Sequence, residues 1–136
     1  MAINPLKVLF VASEVEGLVK TGGLADVAKA LPQHLARAGH DVRIILPFYQ
    51  TLKRRDEARL LASRWLPTPQ GRDDISYRIY QLELDGICVY LLDCPPYFER
   101  PQLYAENNQA YPDNGERFAF LAAAVLHACE QLNFAP

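Results

Sequence analysis

Two short, largely apolar runs, Val8–Ala12 and Val42–Leu46 (broken only by Arg43), bracket a glycine-containing loop and a helical pattern, and this succession constrains the fold more than any other feature. Each run is short and rich in strand formers, as suits a strand buried on both faces of a parallel sheet. Between them, Ser13–Gly23 holds Gly17, Gly22 and Gly23 and reads as a loop. Leu24, Val27/Ala28, Leu31, Leu35 and Ala38 then recur at helical spacing. Pro32 inside that pattern predicts a bend, and Gly39 is a suitable C-terminal stop. Strand, loop, helix and strand make a βαβ unit, for which a right-handed crossover is expected.

The middle of the chain adds antiparallel structure. Gln50–Arg59 is strongly charged and reads as a solvated surface helix or loop, and Pro67, Pro69 and Gly71 mark a second loop. Alternation through Tyr77–Leu84 and the apolar run Ile87–Leu92 predict two strands joined at Asp85-Gly86, a strong hairpin signal. Cys94–Pro112 predicts a long loop without regular structure, rich in proline and aromatic residues. Asp113-Asn114-Gly115-Glu116 has the spacing of a capping box, with Asp in place of Ser or Thr, and opens a helix running to Leu132. The expected product is one three-layer α/β domain over residues 1–136, its sheet mostly parallel with an antiparallel hairpin.

Composition then narrows the function. The 136 residues are 50% hydrophobic, enough to bury a core. Fourteen basic against 16 acidic residues leave a net charge of -2, without the basic footprint of a nucleic-acid binder. The longest apolar run, Phe118–Leu126, is too short to cross a membrane, and Met1–Lys7 lacks the apolar stretch of a signal peptide. Cys88, Cys94 and Cys129 match neither a redox pair nor a zinc site, so reduced thiols in a cytoplasmic protein are expected. His34, His40 and His127 have no second ligand at metal spacing, and no metal is expected.

The segment Lys20-Thr21-Gly22-Gly23-Leu24-Ala25-Asp26-Val27 follows the first strand, where open α/β sheets bind ligands. Paired glycines admit a ligand to the backbone, free amides at a helix N-terminus favour phosphate, and Lys20 adds positive charge. From these residues alone a plainer reading stands beside it, in which Gly22-Gly23 makes a tight turn and Asp26 complements the helix dipole. Neither GxGxxG nor a P-loop is present. Glu14 and Glu16 read as solvated loop carboxylates, and Asp113 reads as a helix cap. Tyr97, Phe98 and Tyr111 either stack on sugars or pack the long loop.

Larger blocks carry a resemblance. Lys7-Val8-Leu9-Phe10-Val11-Ala12-Ser13-Glu14, the Lys20–Val27 segment, Ala30-Leu31-Pro32, Gly39-His40-Asp41-Val42-Arg43 and Leu46-Pro47-Phe48-Tyr49 resemble the N-terminus of the bacterial glycogen synthase and plant starch synthase family. Val89-Tyr90-Leu91-Leu92-Asp93, Arg100-Pro101, Tyr104, Asp113-Asn114 and Arg117-Phe118 extend the resemblance over essentially the whole chain. It implies the Rossmann-like N-terminal domain of a two-domain, GT-B glycosyltransferase. Such an enzyme transfers glucose, with retention, from an ADP-glucose donor to the non-reducing end of an α-1,4-glucan acceptor, and needs no metal or cofactor. Carried over residue by residue, the resemblance implies that Lys20 binds the donor and that Gly22 and Gly23 face the sugar diphosphate. Asp26 is then the catalytic residue beside the transferred glucose, not assigned as a covalent nucleophile, and Tyr104 lines the donor side of the cleft.

Three departures accompany the resemblance. Glu16-Gly17 replaces a small or aromatic residue followed by proline, which predicts a more mobile loop. Lys29 stands where glycine is common. The chain ends at Asn133-Phe134-Ala135-Pro136, before the family's His-Asp-Trp-His segment and its C-terminal domain. The expectation is an N-terminal fragment, inactive without that missing domain. A non-catalytic glucan- or protein-binding module derived from the family is the alternative.

Overall fold

The two apolar runs form β1 (Lys7–Val11) and β2 (Asp41–Pro47), paired parallel with Val8 beside Val42. The other side of β2 pairs, again parallel, with β5 (Ile87–Asp93). β4 (Asp74–Leu84) runs antiparallel to β5, and β3 (Arg59–Pro67) antiparallel to β4. The sheet order is β1-β2-β5-β4-β3, and β4 alone opposes the common strand direction. Four of the five strands thus share one direction, and the β4–β5 hairpin is antiparallel as the sequence predicts, while β3 adds a second antiparallel pair that it does not. That hairpin turns at Asp85-Gly86, whose φ angles of 49° and 84° supply the two left-handed positions of a type I′ turn. This computed structural model describes residues 4–71 and 73–136; the Met1-Ala2-Ile3 start of the stretch read for a signal lies outside the described residues.

β3 is the strand that sequence reasoning missed. It is an edge strand with Trp65 67% exposed, and a register shift between Leu60 and Ala62 breaks its two-residue period. Without alternation there is no buried face to read.

Helices cover both faces. Ile44, Leu46, Val89 and Leu91 point to one side of the sheet and Ile45, Tyr90 and Leu92 to the other, and all are buried. The first side receives α1 (Gly23–Arg37), which buries Ala25, Ala28 and Pro32. Of the periodic residues, Ala28 is buried and Leu35 half-buried, whereas Leu24, Val27 and Leu31 are exposed by 48%, 52% and 41%. The small residues form the contact face because they let helix and sheet approach closely. α1 ends with Gly39 N–H donating to the Ala36 carbonyl (3.0 Å) and His40 N–H to that of Leu35 (3.2 Å), a Schellman arrangement.

The second side receives α3 (Asn114–Gln131). Phe120 meets the Tyr77 ring edge-on, His127 Nδ1 lies 2.5 Å from Tyr77 Oη, and Phe134 sits 4.0 Å from the Arg43 guanidinium. The connection before α3 is more regular than predicted. It contains α2 (Pro95–Phe98) and a small hairpin, β6 (Ala105–Glu106) and β7 (Gln109–Ala110), turning through Asn107-Asn108 at φ 53° and 61°. Asp113 does precede α3, but its side chain makes no cap. It is taken instead by Arg100, which donates to both carboxylate oxygens at 2.7 and 2.6 Å.

Arg117, 0% exposed, ties this connection to α3. Its Nε donates to the Tyr97 carbonyl (2.6 Å), and its Nη1 to the Leu103 carbonyl (2.9 Å) and Asn114 Oδ1 (2.7 Å). Each buried acceptor left unpaired costs about 1–3 kcal/mol. Arg117→Ala is therefore expected to destabilise the chain by at least about 3 kcal/mol, measured as a lower urea midpoint. A midpoint within error of the parent would refute this role.

Candidate functional site

The carboxyl end of β1 runs directly into the candidate loop. Ala12 N–H still donates to the Ile45 carbonyl (3.1 Å), and Val15–Val19 then closes into a tight turn with both cross-turn bonds at 3.0 Å. Gly17 sits at that turn with φ 93°, and Leu84 lies 3.4 Å from where a Cβ would stand. The mobility expected at Glu16-Gly17 is thus opposed by a hydrogen-bonded turn packed on β4. Val15 and Leu18 are fully buried beneath it.

Glu14 is the residue sequence reasoning misread. Rather than a solvated loop carboxylate, it is 2% exposed. Its Oε1 accepts the Thr21 and Gly22 backbone N–H groups at 3.1 and 2.9 Å. Its Oε2 accepts Thr21 Oγ1–H (2.6 Å) and Tyr104 Oη–H (2.7 Å). Burial works against its charge, yet these four bonds outweigh that effect and hold its carboxyl below the ordinary value of 4.5. The available signal lay in the backbone. A loop entering a helix through Gly22 has no cap side chain of its own, so its amides need an acceptor from elsewhere.

The helix N-terminus above Glu14 is open. Gly22 occupies the cap position at φ −163°, an extended conformation, and α1 receives no side-chain cap. Nothing lies within 4 Å of a Cβ built on Gly22 or Gly23. Neither backbone strain nor a protein contact requires glycine here, so the tight-turn reading loses its support. Among the described residues, no acceptor takes the Gly23 and Leu24 N–H groups. Lys20 Nζ lies 2.6 Å from Asp26 Oδ1, with both side chains about half exposed (46% and 49%). The hydrogen bond to Asp26 raises the Lys20 ammonium above its ordinary value.

Lys20, Gly22, Gly23 and Asp26 thus meet at one helix end, and Tyr104 joins them from below through Glu14. Tyr104 is half-buried, with its ring against Phe118. Its hydroxyl also lies 2.6 Å from Ser13 Oγ, and burial, reinforced by Glu14, pushes it up to about 12. The phenol that was expected to line the cleft is therefore committed within the protein. Beside the loop a cleft of about 410 Å³ is lined by Glu16–Lys20 together with Lys29 and Lys53. Lys29, the departure within α1, pairs with Asp85 at 2.9 Å. No helix among the described residues is long and apolar enough to cross a membrane.

Comparison with known proteins places these features in a family. The family model described as "Starch synthase catalytic domain" matches residues 7–136. A glycogen synthase of Aeromonas salmonicida is 82% identical over all 136 residues, which cover 28% of that protein. A glycogen synthase of Photobacterium profundum is 57% identical over 98% of this chain and 26% of its own length. The structure is similar to the catalytic domain of starch synthase IV from Arabidopsis thaliana bound to ADP and acarbose. That match has a TM-score of 0.84 at 28% identity, over 98% of this chain and 27% of that one. The chain therefore spans about 28% of the length of the curated relatives it matches.

The buried carboxylates fix a pH dependence. Hydrogen bonds from Arg100 hold Asp113 below its ordinary value despite partial burial, as the Glu14 bonds do for that residue. Both contribute stability above the unfolded carboxylate range, and both lose it as pH falls through their lowered native values. Asp93 acts in the opposite sense, because burial raises its carboxyl and protonation relieves it. The urea midpoint is expected to fall between about pH 5 and pH 3, and to fall less in Glu14→Gln. An equal fall in both proteins would count against Glu14 as a source.

Proposed function

The chain belongs to the starch synthase catalytic domain family, and on that premise we propose that it forms the donor-facing wall of a retaining glucosyltransferase. The reaction moves glucose from ADP-glucose to the non-reducing end of an α-1,4-glucan: the bond from C1 to ADP breaks, a bond from C1 to the acceptor oxygen forms, and the acceptor hydroxyl loses its proton. The chain is read as one Rossmann-like domain, the N-terminal part of a two-domain cytoplasmic enzyme whose remaining residues supply the opposite wall.

The observation that carries this reading is the uncapped N-terminus of α1, open at Gly22 and Gly23 and flanked by Lys20. A diphosphate can accept from the amides that no protein group uses, and the helix dipole favours its charge. Lys20 then exchanges Asp26 for phosphate as its partner and stabilises the charge that grows on departing ADP. Released from the lysine, the Asp26 carboxylate faces the transferred glucose, where positive charge develops as the bond to ADP breaks. ADP in the related starch synthase structure supports the nucleotide part of this reading. A cleft with both walls positions donor and acceptor and excludes water, so the 136-residue chain alone is expected not to transfer glucose.

Steady-state kinetics of the full-length protein test these roles. Lys20→Ala is expected to raise KM for ADP-glucose about tenfold through loss of a charge-assisted partner, whereas Asp26→Asn lowers kcat more than it raises KM. Gly22→Ser restores a cap side chain where a ligand would sit. Its folding stability should change by only a few tenths of a kcal/mol, while donor affinity falls. Wild-type donor use by all three variants would reduce the loop to a structural turn.

A further inference from the structure

We propose that Glu14 is the positioning residue of this site: its buried carboxylate engages the Thr21 and Gly22 amides from below, leaving the Gly23 and Leu24 amides as the donors for the diphosphate. The proposal rests on the donor-binding reading above and deepens it. Four N–H groups lie in sequence from Thr21 to Leu24, and an anion arriving at an unconstrained glycine loop could gather any of them. Glu14 divides them. Two point inward at 3.1 and 2.9 Å from Oε1, and the next two have no acceptor among the described residues. A carboxylate has about four lone-pair sites. The two amides, Thr21 Oγ1–H and Tyr104 Oη–H occupy them, so Glu14 is saturated and leaves no lone pair to repel the donor at short range.

The same contacts set the height of the loop. Thr21 is bonded through both its backbone and its side chain, and cannot lift without breaking two bonds to one carboxylate. Tyr104 is held to the same oxygen, so the loop after β1 and the connection before α3 share one anchor. Glu14 lies beneath this loop and acts only through groups it holds.

Two substitutions separate charge from shape. Glu14→Gln keeps the shape, because its carbonyl oxygen can take both amides while its NH₂ donates to the Thr21 and Tyr104 hydroxyls, which also accept. Only the charge is lost. Glu14→Ala leaves both amides without an acceptor. In the full-length protein, KM for ADP-glucose is expected to stay within about twofold of wild type in Glu14→Gln, which keeps the loop contacts, and to rise roughly ten- to a hundredfold in Glu14→Ala, with KM for glucan unchanged. A residue needed only for folding would instead lower the active fraction, and hence kcat, at constant KM.

Amide hydrogen exchange of the wild-type protein supplies a readout that needs no variant and no turnover. Thr21 and Gly22 should be protected without ligand, and saturating ADP should newly protect Gly23 and Leu24. Fast exchange at Thr21 and Gly22, ADP protection arising at those two instead, or unchanged donor KM in Glu14→Ala would overturn the proposal. Absence of any ADP effect or glucose transfer in the wild type would instead defeat the donor-binding reading, while protected Thr21 and Gly22 amides would still show Glu14 holding the loop.

Discussion

A buried carboxylate held by hydrogen bonds from neutral donors is the group on which the rest of this structure depends. Glu14 is nearly as buried as the apolar core, and all four of its hydrogen bonds come from neutral donors. Such a group is tolerated only where hydrogen bonds replace the lost water completely. Three segments meet that demand: the end of β1 supplies the acid, the glycine loop supplies three donors, and the connection before α3 supplies Tyr104. The shape of the open glycine loop therefore follows from the solvation needs of one side chain.

Arg117 performs the converse task on the other side of Tyr104. Its fully buried guanidinium gathers two backbone carbonyls and Asn114 Oδ1, while Asn114 Nδ2 donates to the Tyr104 carbonyl at 2.8 Å. Tyr104 is thus fixed at its hydroxyl by an anion's needs and at its backbone by a cation's neighbour. The aromatic rings around Arg117, with Phe98, Tyr111 and Phe118 each within 5.5 Å of the guanidinium, complete a cage that packing alone would not orient. A long proline-rich connection becomes ordered in this way with only four residues of helix and two two-residue strands.

At the surface the balance differs. Lys20 and Asp26 are about half exposed, so their ion pair contributes little to folding and is free to exchange partners. Rigid support below and an exchangeable pair above is an arrangement suited to binding an anion repeatedly without disturbing the core. Its two distinguishing features are the missing cap at Gly22 and the acceptor underneath it.

The β1–α1–β2 unit, the β4–β5 hairpin with its Asp85-Gly86 turn and the grouping of Lys20, Gly22, Gly23 and Asp26 were all legible in the sequence. Each depends on local periodicity or on neighbours within one loop. The edge strand β3 was not, because its bulge and exposure erase the period that reveals a strand. The pairing of Asp113 with Arg100 in place of capping was not, because a side chain thirteen residues away outcompetes the local amides only once the connection has folded. Nor was the inward face of α1, where small residues win over the larger Leu24, Val27 and Leu31 by fitting closer to the sheet. Glu14 shows the division most clearly. The sequence by itself determined that a glycine loop without a cap follows the first strand and opens a helix. Only the tertiary structure decided that the acid before it turns inward, because burial of that charge requires donors from the loop and from Tyr104, ninety residues away, at the same point in space.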